Sequence, residues 1–146
     1  MIIIENVLLL AGRVLLGLYF ILPGLMKLAD FEGSSAYMAD HNVPFIAALL
    51  SLTILIQLTG GMALIVGYKG NVTAFLLAGL TLLISIYMHN FWDYAQEGAE
   101  ALARAHEQQN FMKNMGIMAG LLVIAGNGTG RFSLGARQIH DKTETT

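Results

Sequence analysis

Polar residues along this chain are scarce and bunched. Four long apolar stretches, at about 5–28, 43–68, 70–92 and 111–126, are separated by short polar intervals. A helix crosses the hydrocarbon core of a bilayer with about 20 apolar residues, in a range near 17 to 25. The first three stretches reach that length, and the fourth sits at its short end. Periodicity does not separate buried helix from strand in such runs, but length does. The pattern predicts an all-α protein, an integral membrane four-helix bundle over residues 1–130, followed by a polar tail at 131–146.

The intervals supply the punctuation. DFEGSSAYMADHN (30–42) reads as a polar loop, and Pro44 suits the first turn of the second helix. YKGN (68–71) is a tight connection, so the second and third helices are expected to be antiparallel neighbours. DYAQEGAEALARAHEQQ (93–109) is rich in alanine and sets Glu100 and Arg104 at i,i+4, which predicts a short amphipathic helix between the third and fourth spans. Asn110 is placed to cap the fourth helix and GNGTG (126–130) to end it. Four spans bring both termini to one side, with Lys69, Arg131, Arg137 and Lys142. Lys27, Arg104 and Lys113 fall on the other. Only Lys and Arg count for orientation, and the excess of one places the termini in the cytoplasm.

Composition agrees with a membrane setting. Hydrophobic residues make up 55% of the chain and charged residues 12%, against about 25% charged in an ordinary soluble domain. Mean hydropathy is +0.62. A net charge of −2 gives no electrostatic footprint for nucleic acid. The absence of cysteine excludes disulfides, thiolate zinc sites and cysteine-held iron–sulfur clusters. Redox chemistry would need a bound cofactor or a substrate that itself carries electrons. MIIIENVLLLAGR lacks the basic start and small-residue cleavage site of a secretory signal, so the first apolar segment is expected to stay attached.

The polar residues inside the apolar segments fall into two tiers. Counted at about 1.5 Å of rise per residue, Arg13 and Gln57 come to similar depth on the terminal side. An arginine there costs roughly 2.5 to 3.5 kcal/mol on insertion scales and normally faces the bundle with a partner. Gln57 is a candidate acceptor, with Asn71 or the carbonyls near Gly60 and Gly61 as others, which makes Arg13 part of a structural brace. Snorkelling to the headgroups and contact with a ligand are the alternatives. The outer tier gathers Lys27, His89, Lys113 and Asn114, with Phe91, Trp92 and Tyr94 beside the histidine. An interfacial aromatic belt explains rings at this level. A histidine, a lysine, an amide and aromatics at one depth also suit a quinone head group, with donors for its oxygens and apolar helices for its tail. His89 is the candidate catalytic residue, able to pass protons. His41, His89 and His106 lack metal-ligand spacing, and neither metal nor haem is expected. GIMAG (116–120) is a GxxxG, so Gly116 and Gly120 are candidates for close packing within the bundle or against a second copy. Paired broken helices, the mark of many transporters, are not seen.

GRVLLGLYFILPGLMKL, then MADHNVP, QLTGGMALIVGYKG, HNFW and QQNFMKNMGIMAGLLVIAGNGTGRFSLG, in this order and spacing, resemble the DoxX family of small membrane proteins over about residues 10–136. The resemblance implies a four-helix bundle in the bacterial cytoplasmic (inner) membrane. It also implies a link to thiosulfate:quinone oxidoreductase, as the DoxD-like subunit, or to complexes handling oxidative and thiol stress. Distant relatives act as membrane chaperones or cargo receptors. Family motif positions carry over to Arg13, Gly24, Lys27, Gln57, Gly60, Gly61, His89 and Asn114. Many relatives carry glutamate where this chain has Gln57, so the ion pair with Arg13 is replaced by a neutral contact. The expectation is therefore a quinone-interacting subunit of a membrane oxidoreductase system. In it, Lys27, His89, Trp92 and Asn114 contact the quinone, while Arg13 and Gln57 hold the bundle in register. Its partners would be the bilayer, a membrane quinone and redox or stress proteins. The alternative is a non-enzymatic scaffold or assembly factor recruiting such proteins.

Overall fold

A computed structural model describes residues 2–135. Arg137 and Lys142, counted above for orientation, and the rest of the tail from residue 136 lie outside the described residues. Among the described residues five α-helices are delimited: α1 (Ile2–Ala29), α2 (Phe31–Asp40), α3 (Ile46–Val66), α4 (Gly70–Met88) and α5 (Ala101–Asn127). Single 3-10 turns at Phe91–Asp93 and Gly98–Glu100 join α4 to α5, and no strand occurs among the described residues. Three segments, Ile3–Ala29, Ile46–Val66 and Gly70–Asp93, are long and apolar enough to cross a membrane. Their outward faces carry large apolar side chains, with Leu15 70% and Phe75 64% exposed. A bilayer solvates such a surface, and water would drive it to associate.

Five expectations for the connections are corrected. The interval expected as a loop contains α2. Asp30 caps it by accepting from the Gly33 backbone N–H at 2.9 Å, and none of its residues is buried. A helix that contributes nothing to the core leaves no apolar stripe in the sequence. The separate short helix expected between the third and fourth spans is absent. Residues 101–115 contain neither glycine nor proline to stop a helix, so α5 starts at Ala101 and continues through the expected 111–126 span. Asn110 therefore lies inside α5, where its Oδ1 accepts from Lys113 Nζ at 3.0 Å, and caps nothing. Arg104 does not pair with Glu100. It donates to the carbonyls of Phe91 and Tyr94 at 2.8 and 2.9 Å and lies over the Phe91 ring, while Glu100 accepts from the Ala95 N–H. Pro44 falls in the turn before α3, not in its first helical turn.

The long helices run alternately up and down. Gly17 of α1 meets Gly61 of α3 so closely that a Cβ on Gly61 would stand 2.8 Å from the Gly17 carbonyl oxygen. Small residues let the two backbones approach, the usual route to tight helix pairing in lipid. Here α1 pairs mainly with α3, and α4 with α5; α3 and α4 touch more lightly. Phe20, Leu64, Leu77, Ala78, Leu121 and Ile124 form the buried core where the two pairs meet. Of the GxxxG positions, Gly116 faces open space and Gly120 has Leu16 at 3.7 Å.

At the terminal end the chain folds back across its own first helix. Arg13 is fully buried, and its Nη2 donates to the Phe132 carbonyl. The same segment accepts support from α1, where Asn6 Oδ1 takes the Arg131 N–H at 2.7 Å, and from the α3 end, where the Gly135 N–H donates to the Gly67 carbonyl at 3.1 Å. Gly67 has φ +71°, and a Cβ there would collide with the Arg13 guanidinium and Ser133; only glycine suits both demands. The brace is thus between α1 and the segment after α5. Gln57 takes no part in it. It packs opposite Gly24 of α1, eleven residues past Arg13, or about 16 Å of helix rise. Levelling the helices by their expected ends puts Gln57 about three turns too near Arg13.

Candidate functional site

The opposite end of the bundle holds most of the remaining buried polarity. Pro23 of α1 has no N–H for the Tyr19 carbonyl, and this loosened turn points into two adjoining chambers. The larger, of 470 Å³, lies beneath α2 and is lined among others by Lys27, Ser34, Tyr37 and His89. The second, of 340 Å³, reaches deeper between the helix pairs, past Tyr19, Gln57, Thr81, Lys113 and Asn114. Pro23, Lys27, Ile84 and His89 line both, so a lysine and a histidine stand at the partition.

His89 follows α4 directly, its N–H still bonded to the Ser85 carbonyl at 3.2 Å. Its Nδ1 lies 2.7 Å from Oε2 of Glu107 on α5, a carboxylate that is itself buried. In the neutral ring this contact places the proton on Nδ1 and leaves Nε2 as an acceptor. His106, well exposed, sits 3.7 Å from the other Glu107 oxygen. The Tyr37 hydroxyl of α2 is pushed up from its ordinary pKa, first by burial and then by the negative charges of Glu107 and Tyr94. It therefore stays a neutral phenol at the chamber wall.

A ladder of hydrogen bonds ties the helix pairs together below. Tyr19 O–H donates to Asn114 Oδ1 at 2.8 Å, and Asn114 Nδ2 donates to Ser85 Oγ at 3.1 Å. Ser85 and Thr81 in turn donate to the carbonyls of Thr81 and Leu77, each at 2.7 Å. Fully satisfied buried networks of this kind fix the relative position of the elements that share them.

The structure brings Lys27, His89 and Asn114 together, as their sequence depths implied, though Asn114 spends both ends of its amide on the ladder. Gln57 joins them, against expectation. Trp92 does not. Its indole is 48% exposed and packs edge-to-face against Phe91 and Phe111, at 5.2 and 5.8 Å between centroids, outside both chambers. Sequence reasoning missed Glu107 and Tyr19. Glu107 looked like one of several acids in a solvated connection, and only the continuity of α5 reveals its inward face.

Because α3 and α4 lean apart, an apolar groove of 580 Å³ opens between them towards the lipid side, walled by residues such as Leu52, Ile56, Phe75 and Leu83. Met38, Thr53, Ile84 and Met88 line both this groove and the larger chamber. A largely apolar chamber that holds Lys27 and His89 thus shares a wall with a lipid-facing slot.

A family model described as DoxX matches residues 8–90, from α1 through the end of α4 and including Lys27, Gln57 and His89. Two relatives are inner membrane proteins of Escherichia coli (strain K12). YqjF is 34% identical across 90% of this chain and 92% of its own length. YphA is 28% identical across 90% of each. No solved structure matches the chain at a significant level.

Proposed function

The chain belongs to the DoxX family and is a multi-pass inner membrane protein, and from that premise we propose that it binds a membrane quinone as a subunit of a redox system. The second half of α5 completes the bundle as a fourth span. The quinone head group occupies the chambers at Lys27 and His89, and its isoprenoid tail lies along the slot between α3 and α4. The observation that carries this reading is the shared wall between a chamber holding Lys27 and His89 and an apolar, lipid-facing groove. An amphiphile with a compact polar head and a long apolar tail matches that shape.

Each residue has a role in this reading. The Lys27 ammonium donates to a quinone oxygen. Protonated at both nitrogens, His89 donates from Nε2 to the second oxygen and passes it a proton, while Glu107 fixes the ring's aim. Tyr19 and Asn114 hold α1, α4 and α5 in register around the head. Converting a quinone to its quinol takes two electrons and two protons. The electrons come from a donor outside the chain, a redox protein docked on the exposed face around the 3-10 turns.

Mass spectrometry of an organic extract from protein purified in mild detergent tests the proposal. Quinone is expected near one per chain, and its loss is expected in His89→Ala and Lys27→Ala variants that melt like the parent. An extract without quinone, together with no binding of a short-tailed quinone analogue, would overturn it.

A further inference from the structure

Gln57 is 4% exposed and lines the deeper chamber. Its Oε1 is buried with no hydrogen-bond partner among the described residues. A buried acceptor left unmet costs about 1 to 3 kcal/mol of desolvation, so this oxygen calls for a donor. None of the groups around it makes that hydrogen bond, the ammoniums of Lys27 and Lys113 in the same chamber included. Tyr19 gives its proton to Asn114, Thr81 to the Leu77 carbonyl, and Asn114 to Ser85. His89, at the partition, has its Nδ1 held 2.7 Å from Glu107 Oε2.

The two forms of a quinone differ in the property this wall selects. A quinone offers carbonyl oxygens, which only accept. A quinol offers two hydroxyls, each of which donates and can still accept from an ammonium such as Lys27. We infer that the chamber is built for the reduced form: a quinol hydroxyl donates to Gln57 Oε1, which a quinone cannot satisfy. The inference rests on the quinone-binding reading above and adds which redox form the site prefers. A site arranged to accept from a ligand O–H discriminates strongly against the analogue lacking it, because the protein's acceptor is then left buried and unpaired.

Calorimetric titration of the whole protein in lipid nanodiscs, with a short-tailed ubiquinol kept reduced under anaerobic conditions and with the matching ubiquinone, tests this. The quinol is expected to bind at least about tenfold more tightly. Gln57→Leu is expected to erase that difference by weakening quinol binding alone. Gln57→Glu, which keeps an acceptor, is expected to retain it. Equal affinities in the parent protein, or a quinol preference untouched in Gln57→Leu, would overturn the inference and leave the quinone-binding reading standing. If neither form binds, the quinone-binding reading falls and the inference falls with it. The parent comparison needs no variant, so poor folding of Gln57→Leu would not blunt the test.

Discussion

Arg13 shows how one side chain can be sealed in an apolar setting without a counter-charge. It lies fully buried, with a backbone carbonyl as acceptor, and hydrogen bonds from a charged group are worth about 1.5 to 3 kcal/mol. Arg13→Leu should still insert but melt with about 1 to 3 kcal/mol less stability. Limited proteolysis should then cut the 130–135 segment that the parent protects. Unchanged melting and unchanged protection would remove the brace. At the other end, Glu107→Ala leaves His89 Nδ1 without its 2.7 Å partner. Affinity for a short-tailed quinone should fall about tenfold, with Glu107→Gln recovering part of it. An affinity unmoved by Glu107→Ala would mean that the carboxylate does not position the ring. Much of this site could be read from residue types at matched depth: Lys27, His89 and Asn114 do converge. Gln57 and Glu107 could not be placed that way. The depth of the first depends on how far α3 slides along α1. The facing of the second depends on a helix start that no sequence signal marks.

Elements were legible in proportion to the apolar area they expose to lipid. α1, α3 and α4 announce themselves by length, because a bilayer demands it. α2 has no buried face and is defined by its Asp30 cap and its place over the chamber. The pairing of α1 with α3 hangs on two glycines, and their separate effects are open to measurement. A methyl on Gly61 would meet the Gly17 carbonyl, a backbone atom that moves only if the helix moves. Gly61→Ala is expected to cost about 1 to 3 kcal/mol, as overpacking usually does. Gly116→Ala meets nothing within 4 Å and should be neutral or slightly stabilising. Thermal melts of the two variants in one detergent decide the matter; equal melting would show that the α1–α3 contact is loose.

At the scale of the molecule, two tight helix pairs meet in a core and part at one end, and the parting creates both the chambers and the slot between α3 and α4. Composition alone assigned the membrane class, because a chain with so few charges has too little to show to water. It did not assign the gap, which comes from an unequal division of contacts among the helices. The opposite end is closed by a contact with its own consequence for synthesis. Arg13 and the carbonyl that receives it are 119 residues apart. A ribosome adding about 5 to 20 residues per second needs roughly 6 to 24 s to make that stretch. For that interval the first helix stands in the membrane without the carbonyl that its guanidinium will meet, and the 130–135 segment ends the wait. The contact is therefore among the last that synthesis permits, and a chain released before residue 132 would lack it.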